Sequence, residues 1–406
     1  MIASLAPDFA IIQQGKVIQV PVRLLSSWGE SAYAFTEVDV LGRSHDLGGL
    51  LQTDHYSDAG VWVSEDGSAW EEQSDLPFPG SFDEWAVAAT TFGDDLVVVG
   101  SWRESGTEPT QVQNMWTFPT DDLDGAVWLG AAATGDWARI DDPDLGGDRD
   151  EEIVDVVAIG GVLVAVGSAQ VVPDFGVMEL PVFDGAAWTS TDGTDWARVE
   201  DPDGLFSGPG ISTAFDAAVT DGTTAWAFGV DQGGAGDELA VWTTGDGSDW
   251  QRAEITGEGI STSQNLVIAD ATLSPAGMVV VGSEFGDAGR FPAAWFSPDG
   301  ITWERVDPGT LLEGELAAVA TTEFGFVAVG HTQEDRTVLP LVLLSGDGRH
   351  WSEDTGPLPG VEDAARATLT TVGIHQGVVM AAGTATYLDD SREVLIWSGE
   401  VRGSGA

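Results

Sequence analysis

The chain has 406 residues, 43% of them hydrophobic, which is ample for a packed core and rules out wholesale disorder. Its 67 acidic residues stand against 15 basic ones, for a net charge of −52, and Lys16 is the sole lysine. Binding of nucleic acid requires Lys and Arg to neutralise phosphates, so it is excluded, and an anionic membrane surface is repelled for the same reason.

There is no cysteine, hence no disulfide, no thiolate nucleophile and no Cys-based zinc site. No stretch is apolar enough to span a bilayer, so membrane insertion is not expected. Met1 to Val22 lacks a charged start followed by an apolar run, so no signal peptide is visible. The chain is therefore cytoplasmic or lacks the start of an exported precursor, and an extracytoplasmic location is favoured. The 53 glycines and 18 prolines, spread evenly, predict many short strands joined by turns.

In chain order, the run from Phe9 to Val20 has no repeat partner, and Val22 to Leu51 is irregular. A nine-residue pattern then begins: Trp62-Val63-Ser64-Glu65-Asp66-Gly67-Ser68-Ala69-Trp70. A degenerate copy at 128–137 has lost the Asp-Gly pair but keeps both tryptophans. Full copies follow at 188–196, 242–250 and 295–303, and the copy at 343–351 has Leu343 in place of the first Trp. The closing positions are Trp70, Trp137, Trp196, Trp250, Trp303 and Trp351. Apolar runs ending at Gly100, Gly167, Gly229, Gly282, Gly330 and Gly383 recur at roughly 50 to 65 residues, the period of propeller blades. Another apolar run lies upstream of each, and no 3.6-residue period is sustained, so each repeat reads as four short strands.

The adjacent pairs Asp66-Gly67, Asp192-Gly193, Asp246-Gly247, Asp299-Gly300 and Asp347-Gly348 fall between third and fourth strands. A tight turn there needs positive φ, which Gly adopts without strain, while Asp accepts bonds from turn N–H groups. The flanking tryptophans are apolar plates suited to packing between blades. These residues are expected to be structural.

The pattern resembles the Asp-box, or bacterial neuraminidase repeat, in a shortened form whose Asp and Gly are adjacent. The resemblance implies a β-propeller with the boxes on the turns away from any catalytic face, and implies no particular activity. The predicted fold is all-β: one seven-bladed propeller over 1–406. Its blades lie near 21–75, 83–140, 151–200, 212–254, 264–307, 314–354 and 363–401. Residues 8–20 are expected to supply the missing outer strand of the last blade and close the ring, removing exposed edges.

Binding residues are expected on the loops opposite the Asp-Gly turns. Insertions after Gly100 and Gly167 carry Trp102, Arg103, Trp116 and Phe175, and shorter loops carry Phe285, Arg290, His331 and Tyr387. Asp155, Asp216 and Asp270 read as equivalent positions at the start of three inner strands, with Glu84, Glu151, Glu152, Glu315 and Asp363 at the start of others. Such a ring would raise carboxyl pKa values or recruit Ca²⁺, the one cofactor that the sequence suggests; alternatively each Asp caps its own loop.

Sialidase chemistry calls for an arginine triad, a Tyr–Glu pair and an Asp. Arg139, Arg198, Arg252 and Arg305 each follow a motif Trp by two residues, on outer strands, and Tyr33, Tyr56 and Tyr387 have no convincing Glu partner. No Gly-x-Ser-x-Gly elbow and no metal-binding His spacing occurs. The expectation is a monomeric, non-catalytic propeller that binds a protein or carbohydrate. The alternative is a glycan-active hydrolase with carboxylates at the channel mouth.

Overall fold

The computed structural model describes residues 22–46, 51–66, 69–73, 82–104, 123–131, 136–147, 150–171, 182–201, 203–207, 212–233, 236–262, 265–287, 289–310, 312–334, 337–356, 358–389, 391–399 and 401, and the strand segments 2–5, 10–13, 16–19, 110–112 and 115–117. The described residues are all-β, with one 3-10 turn at Pro143–Leu145 and no α-helix.

The recurring unit is an antiparallel meander of four strands. The first comprises Val22–Trp28, Ser31–Asp46, Leu51–Ser64 and Glu71–Glu72; the second Phe82–Phe92, Asp95–Glu104, Leu123–Gly130 and Trp137–Ile140. The third comprises Glu151–Ile159, Val162–Val171, Val182–Ser190 and Trp196–Arg198; the fourth Phe215–Thr220, Ala225–Gly233, Gly236–Thr244 and Trp250–Arg252. The fifth comprises Asn265–Ser274, Gly277–Gly286, Gly289–Ser297 and Thr302–Val306; the sixth Glu313–Thr322, Gly325–Glu334, Thr337–Ser345 and Trp351–Glu353. Last come Ala364–His375, Val378–Tyr387 and Arg392–Gly399. Their fourth partner is Ile2–Leu5, paired antiparallel with Ile396 to Gly399. This corrects the expectation for 8–20: Ala10–Gln13 and Lys16–Gln19 pair with each other instead.

Each sheet is apolar on both faces because neighbouring units cover both. In Val162–Val171, Leu163 and Ala165 pack with Val97, Val99 and Val127 of the second unit. Val164 and Val166, on the other face, pack with Phe215, Ala227 and Trp242 of the fourth. That two-sided burial is why the strand reads as a continuous apolar run rather than an alternating one.

The glycine ending each run has a specific cause. Every first strand carries a β-bulge at one register position, the extra residue being Arg23, Val87, Val154, Asp216, Ala269, Ala317 or Thr370. Directly before the bulge the first strand's residue pairs with Gly100, Gly167, Gly229, Gly282, Gly330 or Gly383. A Cβ at any of these glycines would lie 1.8 to 2.0 Å from the carbonyl oxygen of the residue just before its pairing partner, so no side chain fits. The first unit has Thr36 in that place, bonded through Oγ1 to the Gly60 carbonyl at 3.4 Å.

The Asp-Gly turns repeat one hydrogen-bond set. Asp192 Oδ1 accepts from the Thr194 and Asp195 N–H groups, Ser190 Oγ accepts from Gly193 N–H, and Trp196 Nε1 donates to the Gly193 carbonyl. Asp246, Asp299 and Asp347 do the same beside Trp250, Trp303 and Trp351, and Asp66 accepts from Ala69 N–H near Trp70. Gly193, Gly247, Gly300 and Gly348 take φ of +76° to +83°. The third-strand tryptophans brace the opposite end: Trp188, Trp242, Trp295 and Trp397 each donate from Nε1 to a carbonyl in the connection preceding their own unit. First strands pack against one another in chain order, and the last packs on the first: Thr370 Oγ1 donates to the Val22 carbonyl, and Ser27 Oγ lies 2.9 Å from His375 Nδ1.

Candidate functional site

The meander sends the second-to-third hairpins and the connections between units to one end of the sheets, here the loop face, and the Asp-Gly turns to the other. Three groups of polar side chains are positioned by the first strands and this loop face.

The first group is acidic and sits on the first strands. Asp155 and Asp270 each follow a bulge by one residue and share one register; Asp216 is itself the bulged residue, one position earlier, so the expected equivalence holds for two of the three. The difference is invisible before pairing, because the bulge shifts the register of everything after it. Asp155 accepts from Val156 N–H at 2.7 Å and, in the next unit, from Ala218 N–H at 2.7 Å. Asp270 repeats this with Ala271 at 2.7 Å and Val319 at 2.8 Å. Both carboxylates therefore tie adjacent first strands together. Burial pushes Asp155 up to about 6 against these lowering hydrogen bonds, and Asp270 up to about 7, with the Asp155 charge adding to it. Burial also pushes Asp216 up to about 7, helped by the Glu152 charge. Among the described residues no group of three or more His, Cys, Asp or Glu is arranged to hold a metal ion.

The second group lies on the loop face and joins the fifth, sixth and last units. Arg290 donates from Nε to Ser283 Oγ at 2.8 Å and pairs through Nη2 with Glu315 Oε2 at 2.9 Å. His331 stands opposite Glu315 in the strand pair, its Nδ1 3.7 Å from Glu315 Oε1. Burial holds the His331 imidazole below its ordinary range, Arg366 and Arg290 act in the same direction, and Glu315 opposes them. Phe285 pairs with Arg290 across the hairpin and is 50% exposed. Three residues nominated from sequence, Phe285, Arg290 and His331, thus meet in one place. Ser283 and Arg366 were not nominated; nothing but their sheet register brings them there.

The third group is a repeated ion pair. Arg139, Arg198, Arg252 and Arg305, one per fourth strand, reach Glu84, Glu151, Asp231 and Glu284. Each guanidinium also lies over a tryptophan: Arg139 over Trp102 at 3.9 Å, and Arg198, Arg252 and Arg305 over Trp188, Trp242 and Trp295 at 5.0 to 5.9 Å. The signal in the sequence was the Arg two residues beyond four closing tryptophans.

Other nominated residues are differently placed. Trp102 is a half-buried strand residue beneath Arg139, and Arg103 follows it in the same strand, also half-buried. The single Tyr387 hydroxyl hydrogen is shared between the Gly360 carbonyl at 2.6 Å and Glu393 Oε2 at 2.8 Å, a Glu partner that the sequence did not show, and burial first, then Glu393, push the hydroxyl up to about 12. Trp116 falls in the strand Met115–Thr117, paired with Thr110–Val112, its side chain beyond the described set; Phe175 lies outside the described residues.

No family model matches the chain, and no curated protein matches it. Among solved structures, a protein of unknown function from Dyadobacter fermentans is similar over 99% of both chains, at 11% identity and a TM-score of 0.52. A Trypanosoma rangeli sialidase solved with sialic acid matches 98% of this chain and 58% of its own, at 10% identity and a TM-score of 0.43. An α-L-arabinofuranosidase from Fusarium graminearum, solved with an iminosugar inhibitor, matches 77% of this chain and 92% of its own, at 14% identity and a TM-score of 0.44. The described residues are thus all-β, with several antiparallel four-stranded sheets, and the fold is similar to that of the Dyadobacter protein. Likeness at such identity concerns fold and leaves activity open.

Proposed function

We propose that the chain is a seven-bladed β-propeller of shortened Asp-box repeats, closed by its N-terminal strand. In this reading it acts as a monomeric, non-catalytic binding module at or outside the cell surface. The blades are the units near 21–75, 83–140, 151–200, 212–254, 264–307, 314–354 and 363–401, the last completed by residues 2–5. Support comes from seven consecutive meanders among the described residues, and from the packing of the last first strand onto Val22–Trp28. The repeated Ser/Thr, Asp, Gly and Trp hydrogen bonds support the Asp-box resemblance.

The observation that carries the binding reading is the loop-face group: exposed Phe285 beside an ordered Arg290–Glu315–His331 set. An aromatic plate rimmed by fixed donors and acceptors is the usual composition of a recognition surface. Asp155 and Asp270 are committed to backbone N–H groups, which weighs against a pair of free carboxylates for glycoside hydrolysis. The hydrolase alternative rests on Asp216 with Glu152.

The test is a printed array of glycans and peptides probed with the labelled chain, alongside a turnover assay on aryl glycosides. Binding that falls tenfold or more in Phe285→Ala and Arg290→Ala, with no turnover, is the expected result. Turnover abolished by Asp216→Asn would replace this reading with the hydrolase. Thermal unfolding with excess Ca²⁺ or EDTA decides whether calcium belongs to the site, since a native-state ligand raises the midpoint.

A further inference from the structure

The repeated Arg–acid pairs border two clefts at matching places on the loop face. One, of about 380 Å³, is bounded by Asp124-Gly125, Arg139 and the connection 141–147. The other, of about 560 Å³, is bounded by Asp184-Gly185, Arg198, Gln170 and the connection residues Asp201 and Ser207. Their sequences repeat as well: Asp-Gly-Ala begins four residues before Trp128 and Trp188, and Arg-(Ile/Val)-(Asp/Glu)-Asp-Pro-Asp runs through 139–144 and 198–203. Gly147 lines both, so the clefts adjoin.

The lining decides the ligand class. Each cleft presents a guanidinium held in place by a buried glutamate: Arg198 Nη1 is 2.9 Å from Glu151 Oε1, and Arg139 Nη1 is 3.5 Å from Glu84 Oε1. Glu151 and Glu84 are 4% and 2% exposed, so these guanidiniums cannot swing freely to neutralise an incoming anion. Asp124, Asp141 and Asp142 in one cleft, and Asp184, Glu200 and Asp201 in the other, repel anions further, as does the net charge of −52. The described acids form no metal-holding group. An organic cation would meet the carboxylates but be repelled by the guanidinium and leave its donors unused, so the ligand that uses the whole lining is an uncharged one that accepts from the guanidinium fork and donates to the carboxylates, of a size that pockets of this class enclose.

We infer that these two clefts each bind one neutral saccharide unit, Arg139 and Arg198 donating to its hydroxyl oxygens and Asp124 and Asp184 accepting from its hydroxyl groups. The site is separate from the Phe285 group. Two adjoining clefts on one rigid face would engage a polymer or branched glycan with avidity beyond either cleft alone.

Saturation-transfer NMR and calorimetry with methyl glycosides of neutral hexoses, with glucuronate as the anionic control, test this. Expected are a stoichiometry near two and rejection of glucuronate. Ser207→Trp, which fills the larger cleft from a half-buried position, should halve the stoichiometry while the protein still unfolds in one cooperative transition. Arg198→Lys, which keeps the charge but loses the planar fork, should weaken that cleft about tenfold. Phe324→Ala, an exposed position on the turn end of the sixth unit, should change nothing. Absence of binding by every neutral glycoside, full binding in Ser207→Trp, or tighter binding of glucuronate would overturn the inference. Hexoside binding that survives both cleft variants unchanged would also overturn it while leaving the Phe285 reading intact.

Discussion

Asp270 and Asp216 carry the same side chain on equivalent strands and burial raises both to about 7, yet one position of register gives them different hydrogen bonding. Asp270 Oδ1 and Oδ2 satisfy two N–H groups, Ala271 and Val319, that would otherwise be buried without a partner. Its truncation to Ala is expected to destabilise the protein by about 2–4 kcal/mol at pH 5, from two orphaned donors. Asp216 has its pKa raised to about 7 by burial and Glu152. A raised carboxyl means that the folded state holds the proton more tightly than the unfolded chain. The associated stability is therefore complete below about pH 4 and lost as pH rises towards 7. Asp216→Asn should raise the melting temperature by roughly a few degrees at pH 8 and leave it nearly unchanged at pH 4. Parallel melting curves of both variants at the two pH values check this, and shifts of the same sign at pH 8 would contradict it. From sequence the three aspartates looked alike, since a bulge is a property of pairing and leaves no mark on a single strand. Tyr387 and Trp102 were misleading for a related reason: they read as available aromatics, but the Gly360 carbonyl with Glu393, and Arg139, already engage them.

Among elements, the recurrent glycine shows how far a pattern can be read. The runs ending in Gly100 or Gly330 marked second strands, and the Asp-Gly pairs marked turns, both directly from spacing. That a first-strand carbonyl presses on each of those glycines was not legible, because it depends on which residue of another strand lies opposite. Gly282→Ala would place a Cβ 1.9 Å from the Val267 carbonyl oxygen and is expected to cost more than about 3 kcal/mol. Gly160→Ala meets nothing within 4 Å and carries only its φ of +53°, so about 1–2 kcal/mol is expected. Urea unfolding of the two variants separates the explanations: equal losses would show that backbone conformation, not the carbonyl, selects glycine. The Arg–acid pairs belong to this scale too. Arg198 lies on an outer strand as its spacing indicated, but the length of its side chain carries the guanidinium to Glu151 on a first strand.

For the molecule as a whole, the proposed function requires that the two ends of the chain meet in one ring, with recognition on its loop face. The ends are what the repeat could not specify: Phe9 to Val20 was the visible apolar run, whereas Ile2–Leu5 lies beside Arg392–Gly399. A protein without cysteine permits a direct test, since Ala3 and Ser398 are register partners and any introduced pair has no competitor. The measurement is oxidation of the Ala3→Cys/Ser398→Cys chain, with Ile12→Cys/Ser398→Cys as its control, followed by mass spectrometry and melting. The closed ring predicts rapid cross-linking of the first pair and a raised melting temperature, through constraint of a loop spanning nearly the whole chain. Cross-linking of the control pair instead, or of neither, would contradict the closure on which the rest depends.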